Sequence, residues 1–162
     1  MPEIVIIAHN IRSTHNVGAL FRTADGFGIK KIVLSGYTPY PKLIGDTRLP
    51  HISEKLTLQI HKTALGAEAT IPFEYCETAP IDELKAQGYR IAGLEQDTQS
   101  VMLTKYHAPE KLALIVGEEV EGITAELLSQ CDDIIEIPMV GQKESFNVSV
   151  AAGIALYHLA LL

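Results

Sequence analysis

The groups best suited to chemistry fall in three short stretches of the chain. The first runs from Asn16 to Arg22. Asn16 reads as the cap of a helix, and the Arg22 guanidinium leans back toward the helix start over Gly18 and Ala19, a bare patch where a phosphate or ribose can dock. The competing arrangement is a surface ion pair between Arg22 and Asp25 or another acid. The second stretch is Gly117-Glu118-Glu119-Val120-Glu121-Gly122. Glycines around three carboxylates have the wrong charge to cradle phosphate, and suit a cationic or hydroxyl-bearing ligand instead. Glu118 and Glu121 read as a solvated acidic turn and Glu119 as the inward-facing one. The third stretch, Gly141 to Asn147, carries Lys143, Glu144 and Ser145 between a strand stopped by Pro138 and a helix capped by Asn147. Taken alone, it supports an ordinary proline-terminated strand and capped helix equally well.

Loops between strand ends and helix starts are where α/β proteins place ligands, and the rest of the chain supplies such elements. Glu3 to His9 is a nearly continuous apolar strand, followed by a polar loop to Asn16. Val17, Leu20, Phe21 and Ala24 then make one helical stripe that stops at Gly26 or Gly28, and Lys31 to Ser35 is the next strand. That is a βαβ unit. Gly36 to His51, with Tyr37, Tyr40, Lys42 and Arg48, reads as an ordered surface excursion, being too aromatic for a disordered linker. Helices are predicted over 52–67, 81–87 and 124–130, and strands over 71–75, 89–94, 111–116 and 133–137, before a final helix to Leu162. The alternation predicts a single α/β domain over residues 1–162, with a mostly parallel sheet of five or six strands flanked by helices.

Composition narrows the function classes. A net charge of −7 argues against a protein that holds nucleic acid by overall electrostatics, though not against a local basic cleft. Cys76 and Cys131 lack metal-ligand spacing and read as reduced thiols of a cytoplasmic protein. The six histidines show no metal-ligand spacing either, so no metal is expected. The start, Met1-Pro2-Glu3-Ile4, has no signal-peptide pattern, and the longest apolar stretch, 148–162, is too short to span a membrane. Neither glycine loop matches a dinucleotide or P-loop fingerprint, and Ser145 lacks the context of a hydrolase elbow.

Together the three stretches resemble the TrmH (SpoU) branch of the SPOUT RNA methyltransferases. Asn16-Val17-Gly18-Ala19-Leu20-Phe21-Arg22 through Gly28 is similar to that family's first motif, Leu114 through Ile123 to its second, and Ile137-Pro138-Met139 through Ser145-Phe146-Asn147 to Ala152 to its third. Phe146 stands where the family often has Leu. The resemblance spans nearly the whole chain. Most members of the branch carry an added N-terminal RNA-binding domain, and this chain begins at the first strand, so its RNA recognition is expected to be internal or to come from a delivery partner.

The resemblance implies a deep C-terminal trefoil knot, a homodimer with active sites at the subunit interface, and methyl transfer from S-adenosylmethionine to a ribose 2′-hydroxyl of tRNA or rRNA. It implies that groups around Leu94, Gly117, Ile137, Met139 and Phe146 hold the cofactor. Arg22 takes the position assigned to the reacting hydroxyl, with Asn16, Ser145 and Asn147 orienting and Glu119 fixing the second loop. Arg12 and Lys143 are expected phosphate contacts, or else solvated surface charge. Independently, the final helix is apolar on most sides, with Ser149, Ala152, Gly153 and Ala155 small enough for close approach, and so calls for burial by a partner. The rival function is a knotted dimer that binds RNA or a nucleotide without catalysis.

Overall fold

The two longest unbroken apolar runs, Glu3–His9 (β1) and Lys111–Val116 (β6), pair in parallel at the heart of the sheet, with Val5 opposite Ala113 and Ile7 opposite Ile115. In the computed structural model, which describes residues Met1–Leu162, five further strands extend this pair. They are Lys31–Ser35 (β2), Phe73–Cys76 (β3), Arg90–Leu94 (β4), Val101–Met102 (β5) and Asp133–Glu136 (β7). The order is β3-β2-β1-β6-β4-β7-β5, and every pairing is parallel. Seven strands exceed the five or six expected, because β5 is two exposed residues, too short for any alternation to show.

Because side chains alternate across a strand, β1 feeds two cores. Ile4, Ile6 and Ala8 join the larger one, under helices α1 (Thr14–Gly26), α2 (Pro50–Ala64) and α6 (Val148–Leu161). Val5 and Ile7 join the smaller one, with Ile81 and Leu84 of α4 (Ile81–Ala86) and Leu127 of α5 (Ala125–Leu128). A short helix, α3 (Ala67–Thr70), follows α2 after Leu65 and Gly66 turn through the left-handed region, so the single helix expected over 52–67 is two. No helix is long and apolar enough to cross a membrane.

The cap of α1 differs from expectation. Ser13 Oγ accepts the Asn16 N–H at 3.2 Å, so Ser13 is the cap and Asn16 lies inside the first turn, its side chain free for other work. Gly18 is also not a bare surface patch. It is buried where α1 crosses α2, and a Cβ there would lie 2.3 Å from Ile60 O. The excursion after β2 is ordered, as expected. Tyr40 stacks on Tyr75 with ring centroids 4.1 Å apart, and Arg48 lies over Tyr40 while bonding Asp46 and the carbonyls of Tyr40 and Pro41. Within α6, Ala152 and Ala155 face the core rather than a partner, whereas Val150, Ile154, Tyr157 and Leu161 form the exposed stripe.

Candidate functional site

A parallel sheet delivers all its strand ends to one edge, and here the loops after β1, β4, β6 and β7 meet there. A chain of side-chain hydrogen bonds ties three of them. Asn147, capping α6 by accepting the Ser149 N–H at 2.9 Å, donates its Nδ2 to Asn16 Oδ1 at 3.2 Å. Asn16 Nδ2 in turn donates to Glu119 Oε1 at 3.0 Å. Glu119 also accepts the backbone N–H groups of Arg12 at 3.0 Å and Ser13 at 3.2 Å, just ahead of α1. Asn16, Glu119 and Asn147, named from separate motifs, thus touch in sequence across the fold.

Glu119 is the inward carboxylate that the glycine loop suggested. Burial pushes its carboxyl up, but the donors from Arg12, Asn16, its own N–H and Ser13 together outweigh burial and hold it below the usual glutamate range. Since the folded value is the lower one, the stabilisation is complete at neutral pH and is lost as pH falls through that lowered value. Glu119→Ala leaves three donors without an acceptor and is expected to cost about 2 kcal/mol at pH 7. Urea titrations from pH 7 down to pH 3 check this: the gap between wild type and Glu119→Ala should narrow on acidification. A gap independent of pH would remove the charge of Glu119 from the account.

Glu118 corrects the sequence reading. It is buried rather than solvated: its Oε2 accepts the N–H groups of Val120, at 3.2 Å, and of Glu121, and its Oε1 lies 3.0 Å from Arg12 Nε. That approach is off the direction of a hydrogen bond, so Oε1 has no hydrogen-bond partner. A partner 106 residues away in sequence has no local signature, whereas Glu121, the other acid expected in solvent, is exposed.

Beside this network lies a one-sided cavity of about 160 Å³. Leu94, Gly117, Ile137, Ser145 and Phe146 line it, as does Glu119. Met139 does not; it is half-buried on the loop beyond Pro138. Glu95 and Gln96 line the cavity and went unnoticed in the sequence. Glu95 Oε2 accepts the Ile123 N–H at 2.9 Å, and Gln96 Nε2 donates to Glu144 O at 2.7 Å, so the loop after β4 braces two of the motif loops. Gly122 sits at φ +70°, where a Cβ would fall 2.1 Å from Glu95 Oε2. A carboxylate directly after a buried strand, at Glu95, was the available signal.

Arg22 stands apart. It is exposed, makes no ion pair with Asp25 or any other acid, and does not line the cavity of its own chain. Lys143 is likewise exposed and unpaired, while Arg12 is engaged by Glu118.

Residues 3–157 match the model of the SpoU rRNA Methylase family. The chain is 33% identical over 162 residues to the 23S rRNA (guanosine-2′-O-)-methyltransferase RlmB of Nitrosomonas europaea, covering 96% of this chain and 55% of that protein. It therefore spans about half the length of that curated relative. Among solved structures, the A. aeolicus TrmH/SpoU tRNA modifying enzyme superposes with a TM-score of 0.78 at 25% identity, covering 98% of this chain and 74% of that one. The AdoMet-bound rRNA methyltransferase from Sinorhizobium meliloti superposes with a TM-score of 0.75 over 96% of this chain and 55% of that one, at 24% identity a likeness of fold.

Proposed function

The chain belongs to the SpoU rRNA methylase family, and from that premise we propose that it transfers a methyl group from S-adenosylmethionine to a ribose 2′-hydroxyl of tRNA or rRNA. The observation that carries the reading is the Asn147–Asn16–Glu119 chain of hydrogen bonds, which joins three loops at the ligand-binding edge of the sheet beside a cavity. The cavity's residues fit the cofactor. Leu94, Val116, Ile137 and Phe146 offer apolar walls for a base, and the carboxylates of Glu95, Glu119 and Glu121 on its lining suit an amino group, a hydroxyl or a sulfonium. The enclosed space is below the roughly 300–1,000 Å³ of most small-molecule sites. The remainder of such a ligand would be covered by the RNA or by a second subunit.

The cofactor supplies, when bound, an electrophilic methyl group on a sulfonium, and the residues of the chain do the remainder. Asn16, Ser145 and Asn147 orient the ribose and the loop ends, and Glu119 locks the second loop to the start of α1. Arg22 stabilises the developing 2′-oxyanion or an adjacent RNA phosphate. A guanidinium stays protonated in proteins and is a poor base at neutral pH, so its service is electrostatic. Lys143 and Arg12 contact phosphate.

Arg22 does not line the cavity of its own chain, so a site that uses it draws on a second copy. Val150, Ile154, Tyr157 and Leu161, an exposed apolar stripe along α6 beside the exposed Phe146, support a homodimer through this helix. The knotted threading of the third loop, a cytoplasmic location and RNA delivery by a partner protein belong to the same reading.

Calorimetric titration with S-adenosylmethionine tests it, followed by transfer of labelled methyl to bulk tRNA and rRNA and nucleoside analysis of the product. Saturable binding and a 2′-O-methyl nucleoside are expected. A folded dimer that binds no cofactor at millimolar concentration would overturn catalysis and favour the RNA- or nucleotide-binding dimer.

A further inference from the structure

We propose that a second groove, beside the start of α1, seats the RNA nucleotide next to the methylated one, with its phosphate on Arg12 and its base against the Tyr37 ring. The groove holds about 550 Å³ and is lined by residues that include Arg12, Tyr37, Tyr40, Arg48 and Gln59. Its lining contains two arginines and three tyrosines and no carboxylate residue, in a chain whose net charge is −7. Arg48 is paired with Asp46, so the exposed cation of this aromatic groove is Arg12, and with Tyr37 it sets side by side what single-stranded nucleic acid needs: a cation for the backbone and a face on which any base can stack.

Tyr37 is a built platform rather than a loose surface residue. Its side of the turn is set by Gly36 at φ +66° and by Asn10, a non-glycine residue at φ +56°. Asn10 Oδ1 accepts the Tyr37 N–H at 3.1 Å, and a Cβ on Gly36 would fall 1.9 Å from that oxygen. The next residue, Thr38, is buried, accepting the Ile11 N–H and donating to Ala8 O, each at 2.9 Å. The backbone is therefore fixed on both sides of a residue that is 55% exposed.

Arg12 links groove and cavity. Its side chain is 64% exposed in the groove, next to Tyr37, and its Nε faces Glu118, which lines the cavity. A strand whose ribose enters the cavity then passes its neighbouring phosphate over Arg12 and its neighbouring base onto Tyr37. The inference rests on the RNA methyltransferase reading.

Fluorescence anisotropy with 5′-fluorescein-labelled decauridylate at low salt tests the groove, together with photocrosslinking of a 4-thiouridine decamer. Tyr37→Ala is expected to weaken decauridylate binding about tenfold, and Tyr37→Phe, which keeps the stacking face, less than twofold. The crosslink should map to the peptide containing Tyr37, and S-adenosylmethionine affinity should be unchanged in Tyr37→Ala. Wild-type affinity in Tyr37→Ala, no binding by the wild type, or crosslinks confined to another face would each overturn the groove. Tyr37-dependent binding by a protein that takes up no S-adenosylmethionine would support the groove as an RNA site and overturn the methyltransferase reading, so the two failures are separable.

Discussion

Arg22→Ala is expected to slow methyl transfer by about 10²–10³-fold while leaving S-adenosylmethionine affinity and dimerisation as in the wild type. The size follows from the role: a preorganised donor aimed at charge that develops in the transition state is worth more to the rate than any ground-state contact. The selectivity follows from position. Arg22 is exposed, makes no ion pair and lies outside the cavity lining, so truncating it breaks no packing and removes nothing that touches the cofactor of the same chain. Single-turnover transfer of labelled methyl to RNA, paired with a calorimetric cofactor titration, separates the two effects. Arg22→Lys should recover part of the rate, because a point charge keeps the electrostatic attraction but loses the two-pronged geometry. Near-normal turnover in Arg22→Ala would take this side chain out of the mechanism. A matching loss of cofactor affinity would show that it acts through binding and not on the transition state.

What could be read from the sequence depended on whether the determining interaction is local. β1, β2 and β6 begin and end at the residues expected, because a strand buried on both faces is an unbroken apolar run bounded by polar residues. The αβ alternation carried the parallel sheet in the same way. Asn147 as a cap was legible because its partners are the N–H groups of Ser149 and Val150, two and three residues on. Asn16 was misread for the converse reason. The true cap, Ser13, is as good a cap residue in the same polar loop, and what distinguishes them is the tertiary bond from Asn16 to Glu119. Glu118 failed likewise: it and Glu121 look equally solvated in a glycine loop until Arg12 arrives from a distant loop. The motif resemblance named most of the residues gathered at the edge, but it did not show that they touch one another in a chain. The aromatic excursion after β2 was legible as ordered, from its composition, and not as one wall of a groove.

Gly18→Ala is expected to destabilise the protein by about 3 kcal/mol, near the upper end for overpacking, and to lower the midpoint of thermal unfolding by about 10 °C. An added Cβ would lie 2.1 Å from Thr63 Oγ1, 2.3 Å from Ile60 O and 2.9 Å from Ala64 N. The Thr63 hydroxyl can rotate away, giving up its bond to His15 O, but a backbone carbonyl and amide of α2 move only with their helix. Helix propensity alone predicts the opposite sign, since alanine is favoured over glycine by about 1 kcal/mol inside a helix. Gly26, at the end of the same helix with nothing within 4 Å of its notional Cβ, is the control: Gly26→Ala should be neutral or mildly stabilising. Urea unfolding of both variants decides which effect wins, and a Gly18→Ala protein as stable as the wild type would mean that α1 and α2 do not pack this closely. The same crossing bears on function, because α1 carries both Asn16 and Arg22. If α1 lifts away from α2 to accommodate a methyl group, the 3.2 Å bond from Asn147 to Asn16 is strained with it. Any Gly18→Ala protein that still folds should therefore lose methyl transfer by more than its folded fraction accounts for, a loss that Gly26→Ala should not share.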